Sequence, residues 1–252
     1  MDRKTSPLKA KPLRQAGQSV QEQIDKIIDE KVLIYIFVPI LLISFAVMEW
    51  IRFKQQTPPS PYLITLTAIV VTIYCIYKVK KLLKDVKALK LGRDGEKAVG
   101  QYLEILREDG CIVFHDIVGD KFNIDHVVIS EKGIYCIETK TYSKPKTEKP
   151  TVHYKKGILR IDSIGEKNKI LNQVQAAATW LTRMLTESTG KEYQIKPVIL
   201  FPGWWVDADD YKEIWVLEPK GFPKFLSNEN VRITKEDKKL AAYHLSRYIR
   251  AL

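Results

Sequence analysis

The stretch Asn123–Lys140, NIDHVVISEKGIYCIETK, decides the fold of this chain. It holds two runs of apolar and β-branched residues, Ile124–Ser130 and Gly133–Thr139, which are typical of strands. Only Glu131 and Lys132 separate the two runs, and a glycine follows them, so the sequence predicts a tight hairpin. A third strand, Cys111–Val118, precedes this hairpin.

The predicted hairpin brings two carboxylates together. If its turn is centred between the two turn residues, the numbers of paired residues sum to 263, which sets Asp125 opposite Glu138. Directly opposed residues have Cβ atoms about 4.5–5.5 Å apart. Lys140 follows Glu138 by two positions, so both side chains point to the same face of the sheet. A bulge at Gly133 would shift this register by one residue.

Two carboxylates at this spacing repel each other unless a cation lies between them, and oxygen ligands suit Mg²⁺ or Mn²⁺. On this interpretation Asp125 and Glu138 hold a metal ion that polarises a phosphodiester. Lys140 would orient or deprotonate the attacking water. An ion pair at the end of a strand is the alternative interpretation of Glu-x-Lys, and the acidic residue in the otherwise apolar neighbouring strand favours the metal site.

A predicted helix supplies one more carboxylate. The helix begins near Asp94 as its N-cap, with an apolar stripe from Val99 to Leu106. Glu96 lies on this buried stripe, although a first-turn glutamate often serves only the helix dipole. The remaining predicted elements are a hairpin of Thr151–Tyr154 and Ile158–Ile161, a long helix at Glu166–Glu187, strands at Ile195–Phe201 and Glu213–Leu217, and a helix from about Lys235. This order predicts an α/β domain with a mixed sheet flanked by helices.

Two apolar runs near the N-terminus predict a transmembrane hairpin. Residues 32–51 contain one charged residue, Glu49, and residues 61–77 contain none. Twenty apolar residues cross a hydrocarbon core of roughly 30 Å, and the second run extends to residue 79 through Lys78. A signal peptide fits poorly because some thirty polar residues precede the first run. A buried helical hairpin is the other alternative.

The basic residues predict the orientation of this hairpin. Seven Lys/Arg precede the first run and seven lie within residues 78–93, whereas the connection 52–60 holds two. Positive residues stay on the cytoplasmic side, so both termini and the C-terminal domain are expected in the cytoplasm of a two-span protein of the cell membrane. Residues 1–93 carry 16 Lys/Arg against 7 Asp/Glu, and residues 94–252 carry 25 against 23. The net charge of +11 therefore belongs mainly to the membrane flanks and is poor evidence for nucleic-acid binding.

Several other features have simpler explanations. The cysteines Cys75, Cys111 and Cys136 lack any CxxC spacing and suit a reducing compartment. The run from Trp204 to Asp210 is better explained as a capped loop than as a second metal site. A basic segment follows the strand of Glu138, and a phosphate-contact patch and a solvated loop are equally good interpretations of it; its residues are Lys144, Lys146, Lys149, Lys155, Lys156 and Arg160.

The blocks Gly95-Glu96, Asn123–Ile129, Gly133–Tyr135 and Ile137–Lys140 resemble the nuclease-related domain family (NERD). The resemblance covers about residues 90–205, and this family is assigned to the PD-(D/E)xK nuclease superfamily. It implies a restriction-endonuclease-like fold.

The resemblance also implies a set of catalytic residues, namely Glu96, Asp125, Glu138, Lys140 and Gln173, of which the first three would bind metal. The family usually has a proline three residues before the glutamine, where this chain has Ile170. Gln175 is therefore an alternative to Gln173.

These observations predict four segments: a largely disordered segment 1–31 that becomes helical after residue 20, the transmembrane hairpin 32–79 with spans 32–51 and 61–79, a basic juxtamembrane helix 80–93, and a cytoplasmic nuclease-related domain 94–252. The predicted function is metal-dependent hydrolysis of nucleic acid at the membrane. A nuclease fold that binds nucleic acid or a protein without cleaving is the alternative. The expected partners are the bilayer and nucleic acid, with DNA placed ahead of RNA although no residue distinguishes them.

Overall fold

The computed structural model describes residues 11–55, 61–119, 122–145, 149–209 and 211–251. The chain forms two compact units. One unit comprises Val20–Lys90, and the other comprises the residues up to Ser19 together with those from Leu91 onward. Of the basic segment noted above, Lys146 lies outside the described residues, as do Asp210 and most of the connection between the two apolar runs.

The first unit is helical. Its helices are α1 (Gln18–Ile27), a π-helical turn (Ile28–Val32), α2 (Leu33–Lys54) and the first part of α3 (Pro61–Glu104). Two helical stretches, Gln18–Lys54 and Pro61–Arg107, are long and apolar enough to cross a membrane. Their large apolar side chains are mostly exposed; Phe37 and Leu63, for example, are 63% and 78% accessible. The apolar content of these helices therefore does not serve as a protein core.

Helix α3 runs without a break through the predicted N-cap at Asp94, so the prediction of a separate helix starting there is wrong. No proline lies between Tyr62 and Glu104, and a single glycine such as Gly92 costs a helix only about 1 kcal/mol. A 3₁₀ turn, Ile105–Arg107, ends the helix.

The second unit is built on a five-stranded mixed sheet in the order β1-β2-β3-β7-β9. Strands β1, β2 and β3 are antiparallel neighbours, and β7 and β9 continue the sheet in parallel with β3. The strands are β1 (Ile112–Val118), β2 (Asn123–Ser130), β3 (Gly133–Thr139), β7 (Ile195–Leu200) and β9 (Trp215–Leu217). This arrangement confirms the predicted mixed α/β fold.

A second sheet of four strands, β6-β5-β4-β8, was not predicted as a separate layer. Its strands are β4 (Thr151–Lys155), β5 (Ile158–Ile161), β6 (Gly165–Glu166) and β8 (Trp205–Ala208). The predicted β4–β5 hairpin is present, but β4 also pairs in parallel with β8, which the sequence had suggested to be a loop.

Helices cover both faces of the five-stranded sheet. Helices α4 (Asn168–Thr189) and α6 (Lys235–Ala251) pack on one face, where Leu181 and Leu245 are fully buried. The end of α3 packs on the other face through Leu103, together with α5 (Phe222–Asn228). The buried apolar residues of β2 thus belong to the cores on both faces of the sheet, Val127 on one side and Val128 on the other.

The hairpin register is the one expected for a two-residue turn. Ser130 pairs with Gly133 and His126 with Ile137, so paired residues sum to 263. Gly133 has a φ of +138°, a conformation that glycine adopts more readily than other residues. The bulge that would have moved Asp125 away from Glu138 does not form.

The segment before α1 packs on the sheet unit. The sequence predicted little order here, whereas Leu13 packs against the core formed by α4 and α6. Gly17 has a φ of +70° and lies against the backbone of Arg93, so the chain turns tightly beside α3. The residues preceding α1 are therefore part of the second unit.

Candidate active site

Three of the predicted site residues, Asp125, Glu138 and Lys140, meet where β2 begins and β3 ends. Lys140 Nζ lies 2.5 Å from Glu138 Oε1, as expected for side chains two residues apart on one strand. The carboxylate of Asp125 lies close enough to both to interact with them electrostatically, and its Oδ2 accepts a hydrogen bond of 2.7 Å from the backbone N–H of Thr139. Glu138 is 3% exposed, so its carboxyl group lies inside the protein.

Gln173 of α4 completes this group. Its Nε2 donates to Glu138 Oε1 at 2.8 Å, and its Oε1 accepts from Lys140 Nζ at 3.2 Å. The amide therefore bridges the carboxylate and the lysine and fixes their orientation. The side chain of Gln175, the alternative from sequence, has no such contact among the described residues.

Glu96 reaches the site because α3 approaches the end of β3 closely at Gly95. A Cβ atom on Gly95 would lie 1.7 Å from Thr141 Oγ1 and 2.8 Å from Thr141 Cβ, so only glycine permits this distance. Glu96 interacts with Glu138 and Lys140, and its own carboxylate is partly buried. The Gly95-Glu96 pair thus combines a close contact with a functional side chain.

The close contact predicts opposite effects for two glycines of α3. Gly95→Ala should destabilise the protein and reduce any activity of the site, because the new methyl group forces α3 away from Thr141. Gly92→Ala meets no atom of the described residues within 4 Å and should instead stabilise the protein by about 0.5–1 kcal/mol. Thermal unfolding of the two full-length variants in detergent measures both changes, and a stable Gly95→Ala protein would contradict the packing.

Sequence reasoning missed a fourth carboxylate, Asp116. The pairs of β1 and β2 sum to 241, so Asp116 comes opposite Asp125, and Asp116, Asp125 and Glu138 occupy adjacent strands. Asp116 interrupts the ladder because its φ is +52°, a conformation that aspartate tolerates better than most residues. An acidic residue in an apolar strand was the signal that identified Asp125, and the same signal was available for Asp116.

Asp116 is held by the segment before α1. Its Oδ2 accepts hydrogen bonds from Arg14 Nε at 2.6 Å and from the backbone N–H and the hydroxyl of Ser19, both at 2.9 Å. The Asp116 residue is 2% exposed. Arg14 therefore compensates one of the four carboxylates and ties the N-terminal segment to the site.

The remaining three carboxylates are held in an electrostatically unfavourable state. Burial, Glu138 and Glu96 raise the pKa of Asp125 well above its usual range, and the Thr139 N–H and Lys140 offset this only in part. Burial also raises the pKa of Glu138, against the effects of Lys140 and Gln173. Burial, Asp116 and Glu138 raise the pKa of Glu96 to about 7. Such shifts are typical of functional sites.

The shift at Glu96 predicts a pH-dependent stability. Because its folded pKa lies near 7 and its ordinary value is 4.5, the folded state loses stability as pH rises through this interval. Glu96→Gln should therefore be more stable than the native protein at pH 8, by up to about 3 kcal/mol, and no more stable at pH 4. Thermal melts at both pH values test this, with the exposed Glu166→Gln as control; an equal difference at both would contradict it.

The charge and the donor atoms of this group, though not their present spacing, suit a divalent cation. Glu96, Asp125 and Glu138 carry three negative charges when ionised, and Lys140 contributes one positive charge, so a cation of charge +2 balances the group. All the donors are carboxylate oxygens, which Mg²⁺ and Mn²⁺ prefer. Across the described parts of the chain, no three acidic, histidine or cysteine side chains are arranged so that they could hold one metal ion. Glu138 Oε1 contacts Lys140 and Gln173 instead, and Asp125 Oδ2 accepts a hydrogen bond from the Thr139 N–H.

The three cysteines and Asp207, from the run that follows Trp204, have structural roles. Cys75, Cys111 and Cys136 are free and buried. Asp207 of β8 forms an ion pair with Lys155 at 2.7 Å, which uses one member of the predicted basic patch.

Comparisons with known proteins relate part of the chain to one family. The sequence profile of the nuclease-related domain matches residues 91–202, a range that contains Glu96, Asp125, Glu138, Lys140 and Gln173. An uncharacterized protein of Bacillus anthracis is 39% identical over 56 residues, which is 20% of this chain and 26% of that protein. The chain thus spans about a quarter of this relative. No solved structure matches the chain. The profile match supports the assignment of residues 91–202 to the nuclease-related domain family, whose name relates the domain to nucleases.

Proposed function

We propose that this protein is a membrane-anchored, metal-dependent nuclease that hydrolyses phosphodiester bonds of nucleic acid. The observation that carries the proposal is the convergence of Glu96, Asp125, Glu138 and Lys140, from one helix and two strands, around buried carboxylates with raised pKa values. A buried like-charge cluster with a single lysine costs stability, and function is a common reason to retain such a cluster.

Asp125, Glu138 and Glu96 would hold Mg²⁺ or Mn²⁺. When bound, this ion would act as a Lewis acid on the phosphate and lower the pKa of a water molecule. The chain's own contribution is to place Lys140 Nζ against the carboxylates, where it can orient the water and offset developing negative charge. Gln173 holds the side chains of Glu138 and Lys140 in a fixed relative orientation by hydrogen bonding to both.

A cleavage assay tests the proposal. Full-length protein in detergent should cleave an end-labelled DNA or RNA with Mg²⁺ or Mn²⁺, and EDTA should stop the reaction. Glu138→Gln should remove the activity, whereas Glu166→Gln, which neutralises an exposed carboxylate, should not. Activity that survives EDTA or Glu138→Gln would contradict the proposal. Binding without any cleavage would favour a non-cleaving nucleic-acid-binding module.

The membrane anchor is the second part of the proposal. The exposed apolar side chains of α2 and of the first half of α3 suit a lipid environment, and the basic residues flank them on the sides predicted to be cytoplasmic. Residues 32–51 and 61–79 would span the cell membrane, with both termini and the sheet unit in the cytoplasm.

Cysteine labelling of intact cells tests this topology. A thiol reagent that does not cross membranes should label Gln55→Cys in the connection and should not label Lys156→Cys at the β4–β5 turn. The native cysteines are buried and give the background. Labelling of Lys156→Cys from outside would contradict the proposed orientation, and permeabilised cells provide the control for its reactivity.

A further inference from the structure

A cavity of about 570 Å³ lies along the edge of the sheet at which β3, β7 and β9 end. Its walls include Lys144, Lys149 and Pro150 after β3, Gly203–Val206 after β7, and Glu218, Lys220 and Gly221 after β9. The three strands are parallel, so their carboxyl ends share one edge, and Glu138 and Lys140 lie at that end of β3. Ligands of open α/β sheets commonly bind beyond the carboxyl ends of the strands.

Tyr142 connects the cavity to the candidate active site. It interacts electrostatically with Lys140 and Glu138 on one side. It also packs against the apolar cluster that contains Trp204, a residue of the cavity wall. Tyr142 therefore lies between the active-site group and the apolar cluster that contributes Trp204 to the cavity wall.

The cavity wall carries a positive charge. Lys144, Lys149 and Lys220 line it, and Glu218 is the acidic residue of the wall. Lys144 Nζ lies 3.0 Å from the place of a Cβ on Gly203, a position that glycine leaves free for the amine. In the described ranges none of the three lysines forms an ion pair, in contrast to Lys155 with Asp207. Three lysines that have no ion-pair partner among the described residues suit an anionic ligand.

An exposed indole lies beside these lysines. Trp205 is 68% exposed although it belongs to β8, where its backbone N–H donates to Pro150 O at 3.1 Å. Trp204 is 1% exposed, and its indole N–H has no acceptor among the residues that the structure describes. A large aromatic ring on a hydrogen-bonded strand gives a rigid surface for stacking. Nucleic-acid bases stack on such rings with little dependence on sequence.

We propose that this cavity binds a single-stranded segment of nucleic acid next to the scissile phosphodiester, an inference whose substrate class rests on the proposed function. Lys144, Lys149 and Lys220 contact the phosphates, and Trp205 stacks on a base. A base inside a duplex is already stacked on its neighbours, so the exposed ring selects an unpaired base.

Binding in EDTA tests the cavity without cleavage. The probe is a fluorescein-labelled oligothymidylate of 12 nucleotides, titrated with full-length protein in detergent and followed by anisotropy. Trp205→Ala should weaken binding by about 5- to 150-fold, as expected for the loss of one stacked base. Trp205→Phe should retain much of the affinity because the ring is preserved.

The salt dependence of binding tests the role of the lysines. Lys144→Ala/Lys149→Ala should reduce the slope of log affinity against log salt by about 1.4, because each phosphate contact to a single strand contributes about 0.7. The matched controls are Tyr243→Ala, which removes another exposed ring, and Lys235→Ala/Lys239→Ala on α6. These controls should bind like the native protein.

Three outcomes would overturn the cavity as the binding site: Trp205→Ala binding within twofold of the native protein, controls that lose as much affinity, or a duplex of equal length that binds as tightly with the same dependence on Trp205. Failure of the cavity proposal and failure of the proposed nuclease activity give different results. Trp205-dependent binding with no cleavage would contradict the nuclease activity alone. Cleavage with a KM independent of Trp205 would contradict the cavity alone.

Discussion

Asp125→Asn is expected to abolish divalent-cation-dependent cleavage and, in EDTA, to melt several degrees above the native protein. The asparagine keeps an oxygen that can accept the Thr139 N–H, so the local structure is preserved. The substitution removes one charge from a group in which burial, Glu138 and Glu96 all raise the pKa of Asp125. Removing such a charge should stabilise the folded state by about 1–2 kcal/mol.

The pH dependence of this gain follows from the direction of the shift. An aspartate with a raised folded pKa costs stability as pH rises above its ordinary value, which is about 4. The difference between Asp125→Asn and the native protein should therefore be greatest near pH 8 and vanish near pH 4. If Asp125 were instead a structural partner of Lys140, its loss would destabilise the protein. A variant that melts markedly lower than the native protein in EDTA would contradict the metal site.

Lys140→Met is expected to have the opposite effect on stability. Glu138 is 3% exposed, and Lys140 is the cation that contacts it, at 2.5 Å. Removing one partner of a buried ion pair costs about 3–5 kcal/mol because the other charge stays buried. The cost should shrink as the pH falls, because the raised pKa of Glu138 makes its carboxylate easier to protonate. Cleavage should fall by about 10²- to 10⁴-fold if Lys140 acts on the attacking water.

A double variant separates the two roles of Lys140. Glu138→Gln/Lys140→Met replaces the buried pair with neutral side chains of similar size, so thermal stability should return towards the native value. Cleavage should remain absent because both site residues are changed. Recovery of activity in the double variant would show that Lys140 only neutralises Glu138, and a melt no higher than that of Lys140→Met would contradict the buried pair.

The hairpin of β2 and β3 could be predicted because its information is local. A two-residue turn fixes the register, and the register sets Asp125 beside Glu138. The second sheet could not be predicted in the same way, since β8 pairs with β4 across about 54 residues of chain. No local pattern at Trp205 indicates that pairing.

Two errors around the candidate site involve contacts between residues that are far apart in the sequence. Asp94-Gly95 has the sequence of a helix start, but Gly95 is required for the contact with Thr141 and the helix continues through it. The acidic residue in an apolar strand was a local signal for Asp116 as well, but its partners Arg14 and Ser19 lie about 100 residues earlier and could not be predicted. Contacts of this kind become visible only when the segment before α1 is placed on the sheet.

Titration of the full-length protein with Mn²⁺ tests the central claim most directly, since the claim is that Glu96, Asp125 and Glu138 hold a divalent cation. Isothermal titration calorimetry in detergent at pH 7.5 should show one saturable site in the native protein and in Glu166→Gln. Asp125→Asn and Glu138→Gln should each weaken or remove it. The absence of saturable binding to the native protein, or equal binding to all four proteins, would contradict the assignment of a metal-dependent nuclease site.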